Sequence, residues 1–107
     1  MTTNDLIADL PGETLIREGL ADFSSGRWTV AAYLVAIARV RLVKAGLIAD
    51  SERHQIGDPE LQLYRLLQKQ GGDAYSRYNS LVRELVSFEQ ALDHRFRRRS
   101  EREGRSG

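Results

Sequence analysis

The sequence predicts an all-α fold, a small four-helix bundle-like domain followed by a flexible basic C-terminal tail. Three observations lead there. Residues 30–38, Val-Ala-Ala-Tyr-Leu-Val-Ala-Ile-Ala, carry no charge and are dominated by alanine, which favours helix over strand. The chain as a whole is rich in Leu, Ala, Arg and Glu and sparse in β-branched and aromatic residues. From Tyr75 to Phe96, apolar residues recur every three or four positions, the spacing of one helix face.

The first helix is expected over 11–23. Pro11 suits a first turn, where its missing N–H costs nothing, and Glu13 lies near the positive end of the helix dipole. Leu15, Ile16, Gly19, Leu20 and Phe23 share one face, and Ser24-Ser25-Gly26 stops the helix. The second helix is expected over 30–45, with Thr29 as N-cap and Trp28 packing on Tyr33 as a hydrophobic staple. A helix apolar on every side has to be surrounded by protein. Its alanine side (Ala31, Ala32, Ala36, Ala38) admits a close neighbour, and its bulky side (Val30, Tyr33, Leu34, Ile37, Val40) fills the core. Arg39, Arg41 and Lys44 crowd its negative end, with acids such as Glu18 or Asp22 as expected partners.

Residues 47–57 form a long connection anchored by Leu47, Ile48 and Ile56. Asp58-Pro59-Glu60 then announces the third helix with a cap, a first-turn proline and an acid. Leu61, Leu63, Tyr64 and Leu67 give it an apolar side. Gly71-Gly72 ends it, and Asp73 caps the fourth helix at once, which predicts an antiparallel hairpin. Residues 1–9 are read as a flexible N-terminus, 10–94 as one helical domain, and 95–107 as a disordered basic tail.

At 107 residues, 41% of them apolar and 29% charged, the chain fits one soluble domain. Its net charge of +1 gives no overall bias towards nucleic acid or anionic lipid. The distribution is more telling. Residues 1–26 carry five acids and one base, whereas residues 94–107 carry six arginines and two acids, the pattern of a charged interaction tail. The absence of cysteine excludes disulfides, thiolate catalysis and cysteine-ligated metals. Neither a signal peptide nor a bilayer-spanning run of roughly 20 apolar residues is read in the chain, so a cytoplasmic protein with no membrane partner is expected.

No activity is legible. There is no nucleophile elbow and no phosphate-binding glycine loop, and the carboxylates sit at no fixed pairing. The two histidines, His54 and His94, have no second histidine at ligand spacing. The expectation is a non-catalytic protein without cofactor or metal. A helix-turn-helix is disfavoured, because the groove-facing turns of the second helix would carry no polar or basic side chain.

Two sets of residues remain as candidates. Trp28, Tyr33, Leu34, Ile37, Tyr75 and Tyr78 form a possible interface, either with a protein partner or with a second copy in a homodimer. At helical spacing the same residues also read as core. Arg95, Arg97, Arg98, Arg99 and Arg102 form a possible contact for phosphate groups of a nucleic acid, although a solvated helix end is the preferred explanation of them. The leading expectation is therefore a small helical interaction module or subunit, with a nucleic-acid-associated accessory protein as the alternative.

Overall fold

The computed structural model describes residues 6–49 and 57–105. Among them, all regular structure is helical, in five helices: α1 (Glu13–Ser24), α2 (Val30–Ile37), α3 (Arg39–Lys44), α4 (Pro59–Gln70) and α5 (Ala74–Arg105).

Four of the five starts have a local cause. α1 begins after Gly12, held at φ 76°, so Pro11 lies in the preceding turn and not in the helix. The Glu13 carboxylate folds back to accept the Asp9 N–H at 2.8 Å. α2 is capped by Thr29, whose hydroxyl accepts the Ala32 N–H at 3.2 Å and donates to Asp22 at 2.7 Å. Trp28 and Tyr33 stack with ring centroids 5.2 Å apart, the staple that the sequence predicts. Asp58 caps α4 through the amides of Glu60 and Leu61. Asp73 caps α5 through the amide and hydroxyl of Ser76. The Gly71-Gly72 turn between them has both residues at positive φ, and Arg77 of α5 donates to Gln70 of α4 at 3.0 Å. The hairpin is thus locked at its closed end.

The expected helix over 30–45 is two helices. It bends at Ala38, whose ψ of 8° opens the ladder. No proline or glycine marks the bend. It turns α3 so that Leu42 is fully buried and Arg41 faces α5. Every residue of the uncharged nonapeptide is at least half-buried. Val40, assigned by its spacing to the bulky core side, is instead 77% exposed, because the bend swings it out.

The core gathers Ile16 and Phe23 of α1, Leu34 and Val35 of α2, Leu42 of α3, Leu63 and Leu67 of α4, and Leu85, Phe88 and Leu92 of α5. Leu6, Ile7 and Leu10 are buried in it as well, so the packed body begins ahead of residue 10. Leu61, expected on the apolar side of α4, is 45% exposed.

The alanine side of α2 is occupied from within the chain, by α1. A Cβ placed on Gly19 would stand 2.4 Å from the Ala31 carbonyl oxygen and 2.7 Å from Val35 Cγ2. Only a residue without a side chain permits this crossing. α5 continues past His94, where fraying is expected, to Arg105. At 32 residues it is about 48 Å long and spans most of the molecule's 53 Å length. The radius of gyration, 14.7 Å, therefore exceeds the value of about 13 Å typical of a compact chain this size.

Gly19→Ala is expected to destabilise the protein by about 2 kcal/mol or more, overpacking outweighing the gain in helix propensity. Urea unfolding checks it, and an unchanged midpoint would mean that α1 and α2 are not so closely apposed.

Candidate functional site

The structure separates the aromatic and apolar candidates. Trp28 and Tyr33 are half-buried and in contact, with Phe23 edge-on to Trp28 at 5.8 Å. Leu34 has no exposed surface, so in this fold it is reachable by no partner. Ile37 is half-buried at the edge of a cleft of about 350 Å³, which Val40, Arg41, Lys44, Glu89 and Asp93 also line. Tyr78 is half-buried against Tyr64, edge to face at 5.7 Å. Its phenol is held above the usual tyrosine range by burial, and then by the charges of Glu60 and Asp58 and a hydrogen bond with Glu60. Tyr75 alone among the six is well exposed, at 67%.

The arginines divide too. Arg95 is half-buried and donates through Nη1 to the carbonyls of Leu6 at 3.1 Å and Ala8 at 2.6 Å. It fastens the N-terminal turn to α5, and its guanidinium is already engaged where a phosphate would have to bind. Arg97 and Arg98 are exposed. Arg99 and Arg102 continue the helix, their side chains lying outside the described residues, as does His54. His94 is exposed.

The cation at the end of the expected second helix meets other acids than the spacing suggests. Arg41 pairs with Glu89 at 3.1 Å and with Asp93, both on α5. Asp22 is taken by Arg27 at 3.2 Å and by Thr29. The bend at Ala38 is the reason, since it aims α3 at α5 and away from α1. Glu89 and Asp93, one turn apart on a helix, were the available signal for a bidentate partner. Burial holds the Glu89 carboxyl above the usual carboxylate range, outweighing the pull of Arg41, and Asp93 adds to the rise. Desolvation thus exceeds attraction at this ion pair. Glu13 and Asp73 shift the opposite way. The Asp9 amide and then Arg17, 2.6 Å away, hold Glu13 low; the Ser76 amide and then its hydroxyl hold Asp73 low.

A second surface feature escaped the sequence reading. Asp9, Glu13, Glu18 and Glu84 border an open groove of about 610 Å³ between α1 and α5, with Leu10, Leu15 and Leu81 along it. The acids come from three separate stretches, so no local pattern announces them. Among the described residues, no group of three or more His, Cys, Asp or Glu side chains is placed to hold a metal ion. No described helix is long and apolar enough to cross a membrane.

Glu89 binds its proton more tightly in the folded chain than in the unfolded one. Its contribution is complete below the ordinary carboxylate range and is lost as pH rises through the folded pKa. Glu13 and Asp73 contribute above that range, and their contribution is lost as pH falls. Glu89→Gln should therefore gain stability relative to the parent on going from about pH 4 to about pH 7, whereas Arg41→Ala, which strands two half-buried acids, should cost about 1–2 kcal/mol at neutral pH; denaturant titrations across that range test both. Arg95→Ala should speed amide exchange at residues 6–10 about tenfold or more while the amides of 85–92 stay protected, and equal loss of protection in both segments would refute the clamp.

Set against family models, curated proteins and solved structures, the chain finds no match.

Proposed function

We propose that this protein is a small helical association module, with no chemistry of its own, that works by binding protein. The observation that carries this reading is the large apolar side chains left in water on a helical body: Val40 at 77%, Tyr75 at 67%, Leu61 at 45% and Val86 at 42% exposed. Buried apolar area drives association, and exposed aromatic residues are the typical anchors of interfaces. The described carboxylates support the non-catalytic side of the reading. Asp22, Glu89 and Asp93 are held in ion pairs and Glu13 and Asp73 in caps and turns, so these five already have a structural task. An all-helical body presenting helix faces suits such a role.

A second reading rests on Arg97 and Arg98, exposed on α5 where the chain turns basic. In it, residues 97–105 act as an arm whose arginines displace counterions from a nucleic acid. Arg95, engaged by the N-terminal turn, takes no part.

One experiment separates the two, affinity capture at low and high salt with three baits: the full chain, a Val40→Glu/Tyr75→Glu variant, and a variant with Arg97, Arg98, Arg99 and Arg102 changed to Gln. The association reading expects a protein partner, a second copy included, that survives high salt and is lost with the first variant. The second reading expects nucleic acid that is lost with salt and with the glutamine variant. Capture by the full chain no greater than by the double-glutamate variant, under both salt conditions, would remove the association reading.

A further inference from the structure

We propose that the cleft between α3 and α5 is the docking site of this protein, and that it takes an amphipathic partner segment whose polar side is acidic. The proposal rests on the reading of the protein as an association module. It picks out one surface and gives the partner's chemistry.

The bend at Ala38 makes the cleft. One wall runs from Ile37 to Lys44, and the other is the flank of α5 that carries Glu89 and Asp93. Ala38 and Leu42 are buried, so the first wall is anchored in the core. The cleft measures about 350 Å³, which is at the small end of the range for pockets. That is the scale of a few side chains projecting from one segment.

Apolar side chains lie along both walls. Val40, swung outward by the bend to 77% exposure, borders the cleft beside half-buried Ile37. On α5, Val86 is 42% exposed. It stands about 20° from Asp93 around the helix axis and about 4.5 Å along it from Glu89, so it continues the same flank. A single apolar residue on a surface is ordinary. Three along one cleft form a strip that a partner can bury. Helix propensity does not account for the two valines either, since Lys, Glu, Arg and Gln are better helix formers at exposed positions.

The charges along the cleft decide the partner's sign. Its two acids, Glu89 and Asp93, are both bound by Arg41. Lys44 lines the cleft and is exposed. Arg97, one turn beyond Asp93 and about 40° from it around the axis, is exposed as well. Neither cation pairs with an acid among the described residues. The charges left over are therefore both positive. An acidic segment meets Lys44 and Arg97 as partners, whereas a basic one meets two like charges and two carboxylates already taken. Burial of the apolar strip supplies affinity, and the unmatched cations select between partners.

The test uses the full chain and two synthetic amphipathic peptides of about 14 residues, with the same leucine face and either Glu or Lys on the other side. Fluorescence anisotropy at low salt is expected to give the acidic peptide about tenfold or more the affinity of the basic one, an advantage that salt screens away. Val40→Ser is expected to weaken binding of the acidic peptide about tenfold. Tyr75 lies eighteen residues before Asp93 on the same helix, about 27 Å along the axis. Tyr75→Ser should therefore leave the affinity within about twofold of the parent. Lys44→Glu combined with Arg97→Glu should reverse the preference between the peptides. All four positions are exposed, and circular dichroism on every variant confirms that the fold is intact. No binding of either peptide at about 200 µM overturns the proposal. So does equal affinity for the two, or binding that is lost with Tyr75→Ser and not with Val40→Ser. If the full chain then still captures a protein that the Val40→Glu/Tyr75→Glu variant loses, the association reading stands and only the acidic-segment site falls.

Discussion

The crossing of α1 over α2 is the constraint on which the rest of the structure depends. Gly19 rests directly against the backbone at Ala31 and the side chain of Val35, and the two helices share the largest part of the inter-helix packing. With α1 this close, the alanine side of α2 is sealed. Leu34 and Val35 can then turn fully inward, and α4 closes the opposite flank of α2. The cap network at the α1–α2 turn is a consequence of the same geometry. Asp22, 8% exposed, meets Thr29 and Arg27 because the two helix ends are drawn together there. A buried carboxylate is tolerable only when paired and hydrogen-bonded, and this one is.

The close crossing also reassigns the apolar excess of the second helical stretch. On sequence alone that stretch carries more apolar surface than short neighbours are expected to cover, which argues for a partner over the alanine side. The chain covers it unaided, by bringing in α1 at glycine distance and by recruiting Leu6, Ile7 and Leu10 from the N-terminal turn. What stays exposed is elsewhere: Val40 beyond the bend, Leu61 on α4, and Tyr75 and Val86 on α5. The apolar side chains that remain in water lie on the outer helices, not on the stretch that the sequence singles out.

Local signals were legible where a single side chain meets a nearby amide. The caps at Thr29, Asp58 and Asp73, the Trp28–Tyr33 staple and the glycine turn at Gly71-Gly72 could all be read from spacing, because each is decided within a few residues. The stripe of α5 from Leu85 to Leu92 was legible for the same reason. The bend at Ala38 was not, since it answers to α5 and to nothing in its own neighbourhood. With it went the placement of Val40 and the partners of Arg41. The composition of residues 95–105 predicts fraying by charge repulsion. The helix continues past that point, with Arg95 bound to two carbonyls and Phe96 half-buried. Of the candidate surfaces, Tyr75 could be picked out by type alone, whereas the acidic groove could not. Its members stand as far apart as Asp9 and Glu84, and only the folded chain brings them to one groove.

The grip of Arg95 on the carbonyls of Leu6 and Ala8 joins residues 87 and 89 positions apart. Closing so long a loop is slow relative to the pairing of neighbouring helices, because its entropy is lost before the contact repays it. During synthesis Leu6 and Ala8 emerge well ahead of Arg95, so their fastening waits for the 87 residues that separate Ala8 from it. Residues 6–8 are thus secured only after Arg95 has been made, and Ile7, which has no solvent-accessible surface in the finished fold, lacks that fastening in the nascent chain until then.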